Sequence, residues 1–203
     1  GGLEGTFPGA VRAVFLADDL SQSGLTDDTI FVGSNKNNDL VADWRWGSGN
    51  NPPKNDVSNA YAYAVLSDEN ELIIYAGIER LAPNGANHLD FEFNQATISL
   101  DNDPPCPTSE CEFIGEKTDG DLLVNMDFDQ GGNISSVALR QWDAATQQFV
   151  LLLAQTPAPG ESDAEGCNDP VGPVPGDVLC AFSNNGPIDG GNWPNYLSPG
   201  AAL

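Results

Sequence analysis

Pro52-Pro53-Lys54-Asn55-Asp56-Val57-Ser58-Asn59-Ala60-Tyr61, Leu89-Asp90-Phe91-Glu92-Phe93-Asn94 and Asp119-Gly120-Asp121-Leu122-Leu123-Val124 decide the fold class. The short windows they open alternate apolar with polar residues, the two-residue period of a half-buried strand. Their polar positions are Asp, Glu and Asn, residues of wet surfaces and calcium loops rather than of nucleotide-binding sites. Outward from these stretches, 22 Gly and 15 Pro punctuate the chain and helical periodicity is scarce. Strands are expected at 11–17, 30–33, 42–46, 60–66, 71–80, 89–99, 121–128, 135–143 and 149–154. Ser67-Asp68-Glu69-Asn70 and Gln130-Gly131-Gly132-Asn133 read as hairpin turns. The expected fold is all-β, a jelly-roll-like β-sandwich, as one domain over 1–203 with a loop-dominated part at 155–203. No fixed period repeats, which excludes solenoids and propellers.

Alternation assigns faces. Leu89, Phe91 and Phe93 point one way, and Asp90, Glu92 and Asn94 the other. Leu122, Val124, Met126 and Phe128 point inward, while Asp121, Asn125, Asp127 and Asp129 share the opposite face with Leu123. If these strands neighbour one another, one sheet carries an acidic outer face, with Arg80 and Arg140, at the ends of two other strands, as its counter-charges.

Seven Lys plus Arg against thirty Asp plus Glu give a net charge of −23, spread along the chain. Such a surface repels nucleic acid and anionic membranes, so neither is an expected partner. No apolar run is long enough for a membrane-spanning helix. Cys106 and Cys111 bracket one turn, and Cys167 and Cys180 bracket a Pro/Gly-rich loop. Neither spacing suits zinc, and the single histidine, His88, is remote in sequence. Four cysteines admit three connectivities; the local pairs Cys106–Cys111 and Cys167–Cys180 are the expected disulfides, which places the chain outside the cytosol. The start at Gly1-Gly2 reads as a mature form or a fragment.

Clusters of Asn and Asp recur at Asp18-Asp19, Asp27-Asp28, 35–39, Asn55-Asp56, 101–103 and 127–133. Calcium takes six to eight oxygens, which such clusters supply. The expected calcium region comprises Asp18, Asp19, Asp27, Asp28, Asn35 and Asp39. The competing reading is that Asn and Asp cap turns. Asp127-x-Asp129-x-Gly131 begins like an EF-hand loop, but its twelfth position is Ala138 rather than Glu. Asp90 and Glu92 lie about 6–7 Å apart along one strand face, near the carboxylate spacing of inverting glycosidases, yet a solvated face provides no cleft. Trp44, Trp46 and Trp142 are either core or, if exposed, a stacking platform for glycans; Trp193 stands alone. Asn133-Ile134-Ser135 fits a glycosylation sequon. G-x-S-x-G, H-E-x-x-H, P-loop and dinucleotide fingerprints are all missing.

At these strands the chain resembles the N-terminal β-sandwich module of large secreted bacterial surface proteins, which commonly precedes immunoglobulin-like or prealbumin-like repeats. The resemblance runs from Gly2-Leu3-Glu4-Gly5 through Asp27-Asp28, Gly33-Ser34-Asn35-Lys36, the 52–61 stretch, Asp90-Phe91-Glu92-Phe93-Asn94 and Thr118-Asp119-Gly120-Asp121-Leu122-Leu123, and includes both cysteine pairs. It implies secretion and a role in surface architecture or adhesion, and carries over no catalytic residues. Such modules usually close with an amphipathic strand after the Pro-rich loop; here Asn195-Tyr196-Leu197-Ser198-Pro199-Gly200-Ala201-Ala202-Leu203 ends before it. Either the chain is a fragment, or a strand from another subunit fills the groove and builds a filament or tube. A segment within 1–17, anchored by Val11, Val14 and Phe15, is the expected donor. The expected function is a non-enzymatic, calcium-stabilised extracellular module that self-associates or binds other surface proteins; a carbohydrate-binding module is the alternative.

Overall fold

The computed structural model describes residues 3–5, 10–17, 29–32, 37–49, 51–68, 70–82, 85–101, 110–156, 166–167 and 179–183. Among them the only helical turn is the three-residue 3-10 segment Val41–Asp43, and every strand pairing is antiparallel. The chain is all-β and sandwich-like. In chain order the strands are β1 (Leu3–Gly5), β2 (Ala10–Ala17), β3 (Thr29–Phe31), β4 (Arg45–Ser48), β5 (Val57–Leu66), β6 (Leu72–Arg80) and β7 (Asn87–Phe93). There follow β8 (Ser99–Leu100), β9 (Cys111–Ile114), β10 (Leu122–Phe128), β11 (Ile134–Asp143), β12 (Gln148–Gln155), β13 (Gly166–Cys167) and β14 (Cys180–Ala181). The chain gathers into two compact units, 1–27 with 52–83 and 186–203, and 28–51 with 84–185.

The first unit holds one sheet in the order β1-β2-β5-β6. The β5–β6 ladder runs unbroken from Asn59↔Glu79 to Leu66↔Leu72. Its turn is the expected one: Ser67 N donates to Glu71 O (2.8 Å) and Asn70 N to Ser67 O (3.0 Å). Asn70 there takes φ 62°, a left-handed conformation that asparagine tolerates. β2, the expected donor strand, is paired on both sides within its own sheet, to β1 and to β5.

The second unit holds β12-β11-β10-β7, β3-β4-β9-β8 and the pair β13-β14. β7 and β10 are neighbours, with Phe91↔Val124 and Asp90↔Asn125 in register. On one face Leu89, Phe91, Val124, Phe128, Leu139 and Leu153 pack around Met126, Ile134, Val137, Leu179 and Ala181. On the other, Leu123, Trp142 and Phe149 form a second buried cluster. Among the described residues, every buried apolar side chain belongs to this second unit.

Two expected strands are corrected. Over 42–46 the alternation of Trp44 and Trp46 reads as a strand, but Val41 and Trp44 are buried together, 2% and 6% exposed. A three-residue spacing matches one 3-10 turn, and β4 begins only at Arg45. The expected strand 89–99 stops at Phe93, because Gln95 N turns to donate to Asp121 Oδ1 (2.8 Å); the ladder resumes at β8. The short strands β1, β9, β13 and β14 escape a reading based on alternation.

Candidate functional site

The polar face of β7, β10 and β11 carries a dense cluster of side-chain interactions. Asp90 accepts from Asn37 Nδ2 (2.6 Å) and Asn125 Nδ2 (2.5 Å) and pairs with His88 Nε2 (2.9 Å). His88 Nδ1 lies 2.6 Å from Asp127 Oδ1, and Ser136 Oγ donates to Asp127 Oδ2 at 2.7 Å. The Ser136 hydroxyl, and then His88, hold the Asp127 carboxyl below its ordinary value. Arg140 Nε donates to Asn125 Oδ1 (2.8 Å), so Arg140 does serve this face. Arg80 lies on β6 of the other unit, where it donates to Lys54 O (3.3 Å).

Half of this face is interior, which corrects the expectation of an acidic outer surface. Lys117 lies beside it, its side chain 1% exposed, with Nζ 3.7 Å from Glu92 Oε1 and donating to Asn37 O (2.7 Å) and Asp39 O (3.1 Å). The rings of Trp142, Phe149 and Trp44 surround the ammonium at 4.6, 4.8 and 5.1 Å. Burial pushes the Glu92 carboxyl up to about 7, with Lys117 opposing the rise, and burial lowers the Lys117 ammonium. Asp121, fully buried, accepts from Gln95 N, Gln95 Nε2 and Thr118 N and so fixes two turns. The expected Asp90–Glu92 pair is therefore engaged in holding strands and loops together.

Trp44 and Trp142, 6% and 3% exposed, are core and offer no platform to a glycan. Trp44 packs edge-on to Phe31 and Phe113, and Trp46 edge-on to Phe31, so the aromatic alternation builds an internal cluster. Trp193 lies outside the described residues. Of the expected calcium region, Asp18, Asp19, Asp27, Asp28 and Asn35 lie outside the described residues, and Asp39 lends its carbonyl to Lys117. Among the described residues no group of three or more His, Cys, Asp or Glu is placed to hold a metal. Asp129 acts as a turn cap, its Oδ1 accepting from Gly131 N (2.7 Å) and Asn133 N (3.0 Å). The sequon residue Asn133 is tied into that turn through Asp129 Oδ2. Cys111 is buried and disulfide-bonded, and Cys106 lies outside the described residues. Cys167 and Cys180 stand directly opposite each other in the β13–β14 ladder.

A second feature lies at sheet edges. Among the described strands, β6 and β12 are outermost in their sheets. On β6, Leu72, Ile73, Ile74 and Tyr75 are 59%, 39%, 42% and 58% exposed; on β12, Val150, Leu151 and Leu152 are 49%, 49% and 53% exposed. Consecutive residues of a strand point to opposite faces, so both faces are open at each edge. Neither 72–78 nor 149–154 contains a charged residue. Folded proteins usually guard an edge with charge or proline, and a continuous apolar run is normally a strand covered on both sides.

Sequence reasoning missed Lys117, which lies in Gly115-Glu116-Lys117-Thr118-Asp119-Gly120 between β9 and β10. The available signal was its rarity, as one of seven cations among thirty acids. Compared with family models, with curated proteins and with solved structures, the chain finds no match.

Proposed function

We propose that the chain is a non-enzymatic extracellular structural module that associates with copies of itself by strand addition, as a subunit of a cell-surface filament or adhesive layer. The observation that carries this reading is the pair of uncharged apolar runs at sheet edges, 72–78 of β6 and 149–154 of β12, on a chain of net charge −23. Strand addition satisfies the open N–H and C=O groups of such an edge and covers its side chains on both faces. Catalysis is disfavoured by the packing of the two carboxylates the sequence singled out: Asp90 has three side-chain partners and Glu92 is only 14% exposed, beside Lys117. The extracellular setting is supported by the opposition of Cys167 and Cys180, a pairing placed for a disulfide of oxidising compartments. Calcium belongs to the same reading, as the cation that offsets repulsion between acidic copies.

Sedimentation velocity over a hundredfold range of concentration tests the proposal, with calcium and with chelator. The reading expects species that grow with concentration and shrink when chelator replaces calcium. A single monomeric boundary throughout contradicts it.

A further inference from the structure

We propose that the self-association is heterologous: β6 of one copy pairs with β12 of the next, so that copies join head to tail. The inference rests on the self-association reading above and assigns the occupant of each edge.

Charge argues first against β6 pairing with itself in the register that overlaps its whole apolar run, 72–78. A two-fold antiparallel ladder centred on Tyr75 sets Glu71 of each copy opposite Glu79 of the other, and like charges directly opposed are destabilising. β12 is bounded by Gln148 and Gln155, so a β6–β12 ladder brings no carboxylates together at its ends. Shape points the same way. β6 is regular from Leu72 to Glu79 and carries no side chain at Gly77, where an added Cβ meets nothing within 4 Å. β12 is bulged: its register steps from Leu139↔Leu153 to Arg140↔Leu151, leaving Leu152 as the extra, exposed residue. A regular edge, with open space at Gly77, leaves room for the extra leucine of a bulged one; two bulged edges related by a two-fold axis meet irregularity with irregularity. The heterologous arrangement also covers both apolar edges of every interior copy, and contacts of this type propagate.

The test uses two edge-blocked forms of the full chain, Ile74→Lys on β6 and Leu152→Lys on β12, examined by sedimentation alone and mixed. Both positions are exposed, and thermal melts check folding; where either melts below wild type, Leu72→Lys and Val150→Lys replace them. Wild type should form polymers, each variant alone should be a monomer, and the equimolar mixture should give a one-to-one dimer and nothing larger. Dimers of either variant alone would mean that an edge pairs with its own kind. A mixture that stays monomeric while wild type polymerises would likewise overturn the β6–β12 assignment. A wild type that is itself monomeric would overturn the self-association reading, and this inference with it.

Discussion

Lys117 Nζ sits 3.7 Å from Glu92 Oε1, and the two side chains are 1% and 14% exposed. One cation thereby ties the 37–39 segment, through two backbone carbonyls, to the face formed by β7 and β10. Lys117→Ala removes the ring contacts and both hydrogen bonds and leaves buried acceptors behind. It should cost about 3–5 kcal/mol, the range for breaking a buried charged contact. Lys117→Met keeps the apolar stem among the three rings and should cost less. Urea denaturation of the three proteins checks the order, and an alanine form as stable as wild type would refute the clamp.

Glu92 gives the fold a specific pH dependence. Its folded carboxyl is raised to about 7 by burial, above the value of about 4.3 for an unfolded glutamate. Its contribution to stability is therefore complete below about pH 4.3 and is lost as pH rises through 7. Glu92→Gln holds the neutral form at every pH. The variant should match wild type near pH 4.5 and exceed it at pH 8, by on the order of 1–3 kcal/mol. The depressed carboxyls of Asp127, Asp129 and Asp143 act in the opposite sense, losing stability as pH falls, but both proteins share them. Parallel melting curves across pH 4.5–8 would contradict the assignment.

Directly opposed residues of an antiparallel ladder have Cα atoms about 4.5–5.5 Å apart, within disulfide reach. Cys167 and Cys180 are such a pair. Peptide mapping without reductant should recover Cys167–Cys180 and Cys106–Cys111 as linked peptides, and reduction should cost about 2–4 kcal/mol per bond. A Cys111–Cys167 peptide, or free thiols, would refute the pairing.

The legible part of the fold was the part governed by alternation. Leu89 to Phe93 and Leu122 to Phe128 show their faces in the sequence, whereas the partnership of β7 and β10 came from the structure. The order of strands within sheets is a long-range property that no local window carries, so the edge positions of β6 and β12 came only from the structure. Trp44 misled because two tryptophans spaced by one residue mimic a strand, whereas its burial with Val41 at a three-residue spacing makes a turn. Lys117 was illegible because its burial depends on Trp44, Trp142 and Phe149, which arrive from distant parts of the chain. The carboxylates of the 127–133 turn were legible as either cation ligands or caps, and the backbone N–H groups of Gly131 and Asn133 decide for caps at Asp129.

Amide hydrogen exchange tests most directly whether the open edges are the contact surfaces. Peptides covering 72–78 and 149–154 are compared at dilute and at high protein concentration, with those covering 122–128, an interior strand, as reference. Association by strand addition predicts that exchange in both edge peptides slows as concentration rises while the interior peptide is unchanged. Edge amides that exchange at the same rapid rate at every concentration would contradict the account.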